Sequence, residues 1–580
     1  MVTLAASAVI VTPLRLTEVA GDAAAAALYV ANFRFALDAA NYLALEVPSP
    51  LLHYWSLGVE EQFYLVWPLI LLVATRFLPM RFVGLFFVVL AIASFGLSLY
   101  WTDASPAWAF FSPLTRAWEL AAGALIAIGL LRIPARFPRP TAAIAVIVGL
   151  VLIIAAVILL GAETPFPGVA AVLPVAGATL VIVGGVRGPT LPGRLLLGNP
   201  LSRYLGRISY SLYLWHWPIL ILVPIALEND EMGVRIALAF ASILAAIIST
   251  ELIEQPFRRS SALARRSRGS IQLGLSASVA VGIAALIMSG AISLPANLIR
   301  PDPVVVELAG VREDLPRSYS DGCHLAYDVD TPRTDCVYGD PAGEKTAFLI
   351  GDSHAAQWLP ALDAYAADNG WSLEVHTKSA CSVVPVPLWE RKLRRVYNEC
   401  IDWRTALFKR IKKADPEVVF VGSSRDYELW DAGRIIQTNQ AYGYWREKMT
   451  EMLTSLDARA DRVVLLAEMP FLTFDPVDCL ADDDIDRCDP PASLVLDAEY
   501  AALESAAADA AGASVLSLNE LLCPGANCPV VVDDIVVFRD PHHVTASYME
   551  HLADPVANLL EGRAPYPTPS PSALPTEAAD

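Results

Sequence analysis

The chain has 580 residues, 55% of them hydrophobic and 18% charged, and its mean hydropathy is +0.46. That composition excludes a plain soluble enzyme, a disordered tail protein and a collagen-like fibre, and leaves a membrane protein carrying a soluble part. The net charge of −19 divides unevenly: residues 1–300 hold 19 Arg, no Lys and 14 acids, whereas residues 301–580 hold 23 basic and 47 acidic residues. The second half is therefore strongly acidic and a poor partner for nucleic acid.

A helix needs about 20 mostly apolar residues to cross a bilayer. Apolar runs predict about nine spans, near 1–14, 62–76, 82–100, 114–131, 141–160, 169–186, 208–227, 234–253 and 271–293. Segment 23–44 mixes Ala with Arg34 and Asp38 and reads as an outer-surface helix. Arginines concentrate in four loops: Arg76 and Arg81; Arg132, Arg136 and Arg139; Arg187, Arg194, Arg203 and Arg207; Arg258, Arg259, Arg265, Arg266 and Arg268. The loops between, 101–113, 161–168 and 228–233, lack Lys and Arg, and the last carries Glu228, Asp230 and Glu231. Basic loops face the cytoplasm. The span at 271–293 then runs outward and leaves residues 294–580 outside.

Ionisable residues in spans are costly and mark function or an ion pair. Glu60 and Glu61 stand at the entrance of the run at 62–76, with His53 just upstream. Alternatively, Ser56 followed by acids starts a helix. Arg207 opens the run GRISYSLYLWHWPIL, which Tyr210, Tyr213, Trp215 and Trp217 crowd with aromatics around His216. An interfacial belt explains the aromatics but not an imidazole within the span. Glu251 and Glu254 sit near the inner end of their span, within reach of cytoplasmic Arg.

The strings LLHYWSLGVEEQFYLVWP, WELAAGALIAIG, GRISYSLYLWHWPIL and IEQPFRR, in this order and spacing, resemble the acyltransferase-3 family of membrane O-acyltransferases. The resemblance covers residues 1 to about 295. It implies transfer of an acyl group, usually acetyl from acetyl-CoA, onto an extracytoplasmic glycan. Acyl-CoA is then a donor substrate, with no bound cofactor. Glu60, Glu61, Arg207 and His216 are the candidate membrane-site residues. The family begins with two further spans carrying an Arg and a His, and residues 1–14 match the interior of its third. The expectation is a mis-called start or a truncated gene, and weak acyl-CoA-dependent transfer by residues 1–580.

All eight cysteines lie after residue 322: Cys323, Cys336, Cys381, Cys400, Cys479, Cys488, Cys523 and Cys528. An even number confined to one soluble part predicts disulfides in an oxidising compartment. Nearest-neighbour pairing is expected, each pair stapling one local loop. No cysteine cluster has histidines at ligand spacing, so no metal is expected.

A Pro/Asp-rich connector spans 294–344, and an α/β pattern fills 345–562. Strand-like runs are TAFLI, SLEVHT, EVVFVGS, RVVLLAEM and SVLSLN, with helical stretches at 404–414, 439–457 and 496–511 between them. That alternation implies a parallel sheet covered on both faces, with its site at the carboxyl ends of the strands. The Gly-Asp-Ser turn places Ser353 just after a strand, at a helix start whose N–H groups suit an oxyanion. In VVFRDPHHVTASY, Asp540 and His543 are three apart and fit the orienting acid and general base of a serine nucleophile. His542 competes with His543, and His354 and His324 have weaker claims. The Pro/Ser/Ala-rich tail, 563–580, is expected to be disordered.

This arrangement resembles the SGNH esterase/acetyltransferase family over roughly 345–560, which implies a flavodoxin-like SGNH-hydrolase fold and a Ser353–His543–Asp540 triad. The family's Gly-x-Asn-Asp block is replaced by GSSRDYE from Gly422. Backbone N–H groups at Ser353 and around Ala380 are then the oxyanion candidates. The expected protein is a multi-pass cell-membrane O-acyltransferase with its C-terminal domain outside, working on a cell-envelope glycan such as peptidoglycan or lipopolysaccharide. The alternatives are an envelope-anchored carbohydrate O-acetylesterase and a non-catalytic glycan-binding membrane protein. The bilayer and the glycan are the partners expected, and the sequence names no protein partner.

Overall fold

The structure, a computed structural model, describes residues 1–40, 48–130, 139–161, 164–186, 190–227, 229–260, 267–289, 308, 310–482 and 487–565. Arg132, Arg136, Arg187, Glu228, Arg265, Arg266, the 294–307 part of the connector and the tail from 566 lie outside them. The chain divides into two compact units, Met1–Pro301 with Arg391–Arg395, and the remainder.

In the first unit, six helices among the described residues are long and apolar enough to cross a membrane: Tyr54–Phe77, Phe82–Ala104, Arg139–Leu159, Pro200–Leu227, Met232–Arg259 and Arg268–Met288. The chain is a multi-pass membrane protein. Three sequence readings change. The run at 1–14 is not one span, because a helix over Val2–Ile10 ends and Thr12 caps a new one beginning at Pro13. The expected surface helix at 23–44 is two pieces, Pro13–Ala27 and Ala31–Ala40, separated where Tyr29 takes φ +57°. Its first piece is packed, not peripheral: Val19, Ala20 and Ala23 cluster with Leu4, Leu51 and Ala285. Of the two charges in that segment, Arg34 lies 2.5 Å through Nε from buried Asp22, and Asp38, 4.0 Å from Arg34, stays exposed. Third, the helix read from 62 starts at Tyr54, so Glu60 and Glu61 lie inside it. Ser56 does not cap it; its hydroxyl back-bonds to the His53 carbonyl at 3.3 Å.

The second unit is built on a seven-stranded sheet. Its strands are β1 (His324–Leu325), β2 (Val337–Gly339), β3 (Lys345–Gly351), β4 (Trp371–Lys378), β5 (Val418–Gly422), β6 (Arg462–Leu466) and β7 (Ser514–Leu516). The parallel order is β1-β4-β3-β5-β6-β7, and β2 pairs antiparallel to β4. Ala347, Leu349, Val418, Phe420, Val464 and Leu466 pack in one cluster with Leu359, Leu362, Met549, Leu552 and Val556. The alternate residues Phe348, Ile350, Val419, Val421, Val463 and Leu465 are equally buried. Both faces are therefore covered, which is why these strands read as unbroken apolar runs. The sheet begins inside the stretch read as connector, since β1 and β2 precede residue 345. Four disulfides join Cys323–Cys336, Cys381–Cys400, Cys479–Cys488 and Cys523–Cys528, each cysteine to its nearest neighbour.

Register aligns the carboxyl ends of three strands. Gly351 of β3 lies opposite Thr377 of β4 and Gly422 of β5. Ser353, Ala380 and Ser423 thus follow adjacent strand ends within three residues. A Cβ on Gly351, at φ +145°, would stand 2.0 Å from the Gly422 carbonyl oxygen. A Cβ on Gly422 would meet Ala355 Cα at 2.8 Å. Two glycines therefore let the helical turn that carries the serine sit directly on the sheet edge.

Candidate active site

Asp352 ends the excursion from β3 and caps the turn Ser353–Ala356. Its Oδ1 accepts from the His354 amide at 2.8 Å and its Oδ2 from the Ser424 amide at 2.7 Å. The Tyr427 hydroxyl donates to the same Oδ2. Fully buried and so anchored, this carboxylate fixes the residue beside it, Ser353.

The C-terminal segment brings the partners. Strands β8 (Phe538–Asp540) and β9 (His543–Val544) form a tight antiparallel pair. Asp540 Oδ1 accepts from the amides of His542 and His543 at 3.0 and 2.9 Å, which curls the Pro541–His542 turn. The His543 Nδ1 lies 2.8 Å from Asp540 Oδ2, and its Nε2 lies 2.8 Å from Ser353 Oγ. With Nδ1–H donating to the carboxylate, Nε2 keeps its lone pair for the serine hydroxyl. Gln357, one turn after Ser353, accepts the Val544 amide at 2.9 Å through Oε1. One buried amide side chain thus joins the turn of the hydroxyl to the strand of the imidazole.

Burial pushes the His543 imidazole well below its ordinary value; Asp540 pulls it up, and Arg539 adds to the depression. Burial works to raise the Asp540 carboxyl, but His543 and Arg539 outweigh it and hold it well below the usual range. The Arg539 guanidinium sits 2.9 Å from Asp540 Oδ2. The lowered value leaves the His543 ring neutral at pH 7, the form in which an imidazole can accept a proton. A lowered value keeps the base deprotonated further into acid. The rising limb of kcat/KM for p-nitrophenyl acetate hydrolysis is expected to have its midpoint below pH 6.5. A midpoint at or above that value in a pH–rate profile would contradict the assignment.

The segment after β4 is held from several sides. Ala380 takes φ +48°, and Cys381 is bonded to Cys400. Buried Arg404, a turn beyond Cys400, donates to the Ser382 and Val386 carbonyls at 3.2 and 3.0 Å. The Tyr397 hydroxyl donates to the Ser379 carbonyl at 3.0 Å, and the Ser382 and Ser423 hydroxyls meet at 2.7 Å. His324 supports the same segment through Ser379 Oγ and Thr377 Oγ1, at 3.1 and 3.0 Å. Replacing both Cys381 and Cys400 by Ser is expected to lower esterase turnover at least tenfold and to cost about 3 kcal/mol of stability. The Cys523/Cys528 pair encloses a separation of only 5, and its removal should leave turnover near wild type. Equal turnover in the two double variants would reject a special role for the 379–386 segment.

A second group of polar side chains abuts the first. His354 Nδ1 lies 2.7 Å from Glu468 Oε1, and its Nε2 lies 3.2 Å from His542 Nδ1. Burial opposes a charged His354, but Glu468 wins and raises it. The coplanar His354 and His542 rings both stack on Phe471, whose ring also carries the Arg425 guanidinium at 4.4 Å. His354, His542 and His543 each offer a ring nitrogen, and these lie within 4.8 Å of one another. Glu468 escaped the sequence reading. Its signal was a lone carboxylate at the carboxyl end of the run RVVLLAEM, where parallel sheets place their sites.

Among the described residues, the membrane candidates make the following contacts. Glu60 accepts the Tyr64 hydroxyl at 2.5 Å, and Glu61 is exposed. Arg207 pairs with Glu251 at 2.9 Å, and Glu254 pairs with Arg258 at 3.0 Å. His216 bonds the Tyr213 carbonyl through Nδ1 at 2.8 Å and lies 5.9 Å, ring to ring, from buried His53. Tyr213 donates to the His53 carbonyl at 2.7 Å. Arg116 and Glu119, unremarked in the sequence, pair at 3.1 Å, with Arg116 also over the Trp55 ring.

Comparison with known proteins adds a family context. Residues 6–251 match the family described as acyltransferase domain, and residues 322–558 the family described as SGNH domain fused to AT3 domains. The peptidoglycan O-acetyltransferase OatA of Listeria monocytogenes is 30% identical over 259 residues, 43% of this chain and 42% of that protein. The putative peptidoglycan O-acetyltransferase YrhL of Bacillus subtilis is 28% identical, over 42% of this chain and 40% of that protein. The chain thus spans about two fifths of the length of these curated relatives. The periplasmic domain of a Salmonella ser. Paratyphi A lipopolysaccharide acetyltransferase aligns with 45% of this chain and 98% of its own, at 16% identity and a TM-score of 0.31.

Proposed function

We propose, from the premise that this chain is an acyltransferase-3 membrane domain fused to a C-terminal SGNH domain, that it transfers an acyl group to hydroxyls of an extracytoplasmic envelope glycan. The observation that carries the reading is the hydrogen-bonded line from Ser353 through His543 to Asp540. The five central parallel strands, in chain order β3, β4, β5, β6, β7, lie as second, first, third, fourth, fifth, which we read as the flavodoxin-like arrangement.

In the proposed cycle, His543 Nε2 takes the Ser353 proton as Oγ attacks the acyl carbonyl. Asp540 keeps the imidazole oriented and stabilises its cationic form. The amides of Ser353 and Ala380, at neighbouring strand ends, are the proposed oxyanion donors. The Ser423 and Ser424 positions, where the family has Gly-x-Asn-Asp, are engaged with Ser382 and Asp352 instead. His543 returns its proton to the leaving group, then deprotonates a sugar hydroxyl that takes the acyl group from Ser353. The membrane unit would supply that group from cytoplasmic acyl-CoA, most simply acetyl-CoA. Glu60, Glu61, Arg207 and His216 remain its proposed polar residues, with His53 added by its proximity to His216.

Water in place of the sugar would make the same site an esterase. The two are separated by giving the full chain, in lipid nanodiscs, an envelope glycan with and without acetyl-CoA. Donor-dependent gain of acetyl mass on the glycan is the expected result. Net release of acetate from an already acetylated glycan, without gain in the donor arm, would assign the esterase.

A further inference from the structure

We infer that His354, His542 and His543 form a binding site for an imidazole-seeking divalent cation, of the zinc, cobalt or copper class, and that its occupancy shuts off the serine. The inhibitory part rests on the proposed triad; the binding part does not.

The donor set is three imidazoles with no thiolate. Such sets favour borderline first-row metals over magnesium or calcium. Tetrahedral zinc with nitrogen ligands at about 2.0–2.1 Å places those nitrogens a little over 3 Å apart. His354 Nε2 and His542 Nδ1 already stand 3.2 Å apart, and the third nitrogen lies within 4.8 Å. A cation would replace the hydrogen bond between His354 and His542 and draw the third nitrogen in.

The outer partners are also in place. A metal-bound imidazole is held best when its other ring nitrogen donates to a carboxylate. His354 does so to Glu468 at 2.7 Å, and His543 to Asp540 at 2.8 Å. Glu468 is itself fixed, accepting from the amides of Arg425 and Met469 at 2.7 and 3.0 Å. The ring of His542 is the route in, because its side chain is 40% exposed while those of His354 and His543 are almost fully buried. Sequence spacing could not reveal the site, since 188 positions separate His354 from His542.

The consequence for chemistry follows from one atom. His543 Nε2 is the lone pair that accepts the Ser353 proton, at 2.8 Å. A cation on Nε2 removes that lone pair from proton transfer. Binding the metal and priming the serine are therefore mutually exclusive.

The test uses the full chain, purified and stripped with a chelator. Cobalt(II) titration should give the visible absorption of a low-coordinate nitrogen site, at one equivalent, and zinc should displace it. Zinc at micromolar levels should lower p-nitrophenyl acetate hydrolysis at least tenfold, and EDTA should restore it. Glu468→Gln should weaken cobalt binding by roughly 10–100-fold. His542→Ala should abolish the absorption and the zinc inhibition together, while retaining hydrolysis within an order of magnitude of the untreated enzyme. Ser353→Ala should still give the cobalt spectrum, so that binding is read even if the serine reading fails. No cobalt absorption at millimolar metal, or a His542→Ala variant still inhibited by zinc like the parent, would overturn the site. Stoichiometric binding with undiminished hydrolysis would overturn the inhibition.

Discussion

Ser353→Ala is expected to abolish hydrolysis of p-nitrophenyl acetate by the full chain. The hydroxyl is the one group within 2.8 Å of His543 Nε2 among the described hydrogen bonds of that atom. His543→Ala should fall nearly as far, because an unassisted hydroxyl is a poor nucleophile at neutral pH. Members of one coupled unit each cost roughly 10³-fold or more when removed. Asp540→Asn should lose as much as the histidine change or less, since it orients the base without attacking. His542→Ala should cost far less: its Nδ1 faces His354, whereas the nitrogen at 2.8 Å from Ser353 Oγ is His543 Nε2. Steady-state rates with a covalent serine probe as a second readout decide the matter. A fully active Ser353→Ala variant would end the triad assignment, and a dead His542→Ala beside a live His543→Ala would transfer the base to the neighbouring residue.

The second large effect concerns no reacting atom. Gly351→Ala should destabilise the outer domain by about 3 kcal/mol or more, because alanine resists the backbone conformation and its methyl meets a carbonyl that cannot retreat. The 2.0 Å approach to the Gly422 oxygen lies between two hydrogen-bonded central strands, and spreading them breaks the ladder. For a domain of this size the thermal midpoint should drop by roughly 6–12 °C. Activity should suffer beyond what unfolding explains, since Ser353 rides two residues later. A variant with the parent's midpoint and rate, read by differential scanning fluorimetry and by ester hydrolysis, would show that the strand end is more pliant than its contacts indicate.

The parts of the fold that were legible are those encoded locally. Runs such as AFLI and VVFV betray strands buried on both faces, and the three helices expected near 404–414, 439–457 and 496–511 fall at Asn398–Ala414, Tyr442–Asp457 and Ala498–Ala511. Ser353, Asp540 and His543 were legible because each sits in a short string with its own turn chemistry. What escaped depends on distance along the chain or on single-residue geometry. Strands β1 and β2 are two and three residues long and carry no alternation to read. The break at Tyr29 rests on a positive φ at a residue that does not advertise one. Gln357 and Glu468 matter through partners 187 and 114 positions away. His53 reads only as a residue just upstream of a span, whereas the fold sets it against His216.

The 190-residue separation between the hydroxyl and its base has a consequence in time. The strand-turn unit bearing Ser353 and every strand of the seven-stranded sheet precede Asp540 and His543 in the chain and so are synthesised before them. Until then the serine is an ordinary alcohol. Contacts between such distant segments carry a large loop-closure cost, and the Gln357–Val544 bond spans nearly the same gap. A chain lacking residues 538–544 has no base for the serine and is therefore expected to be inert toward p-nitrophenyl acetate.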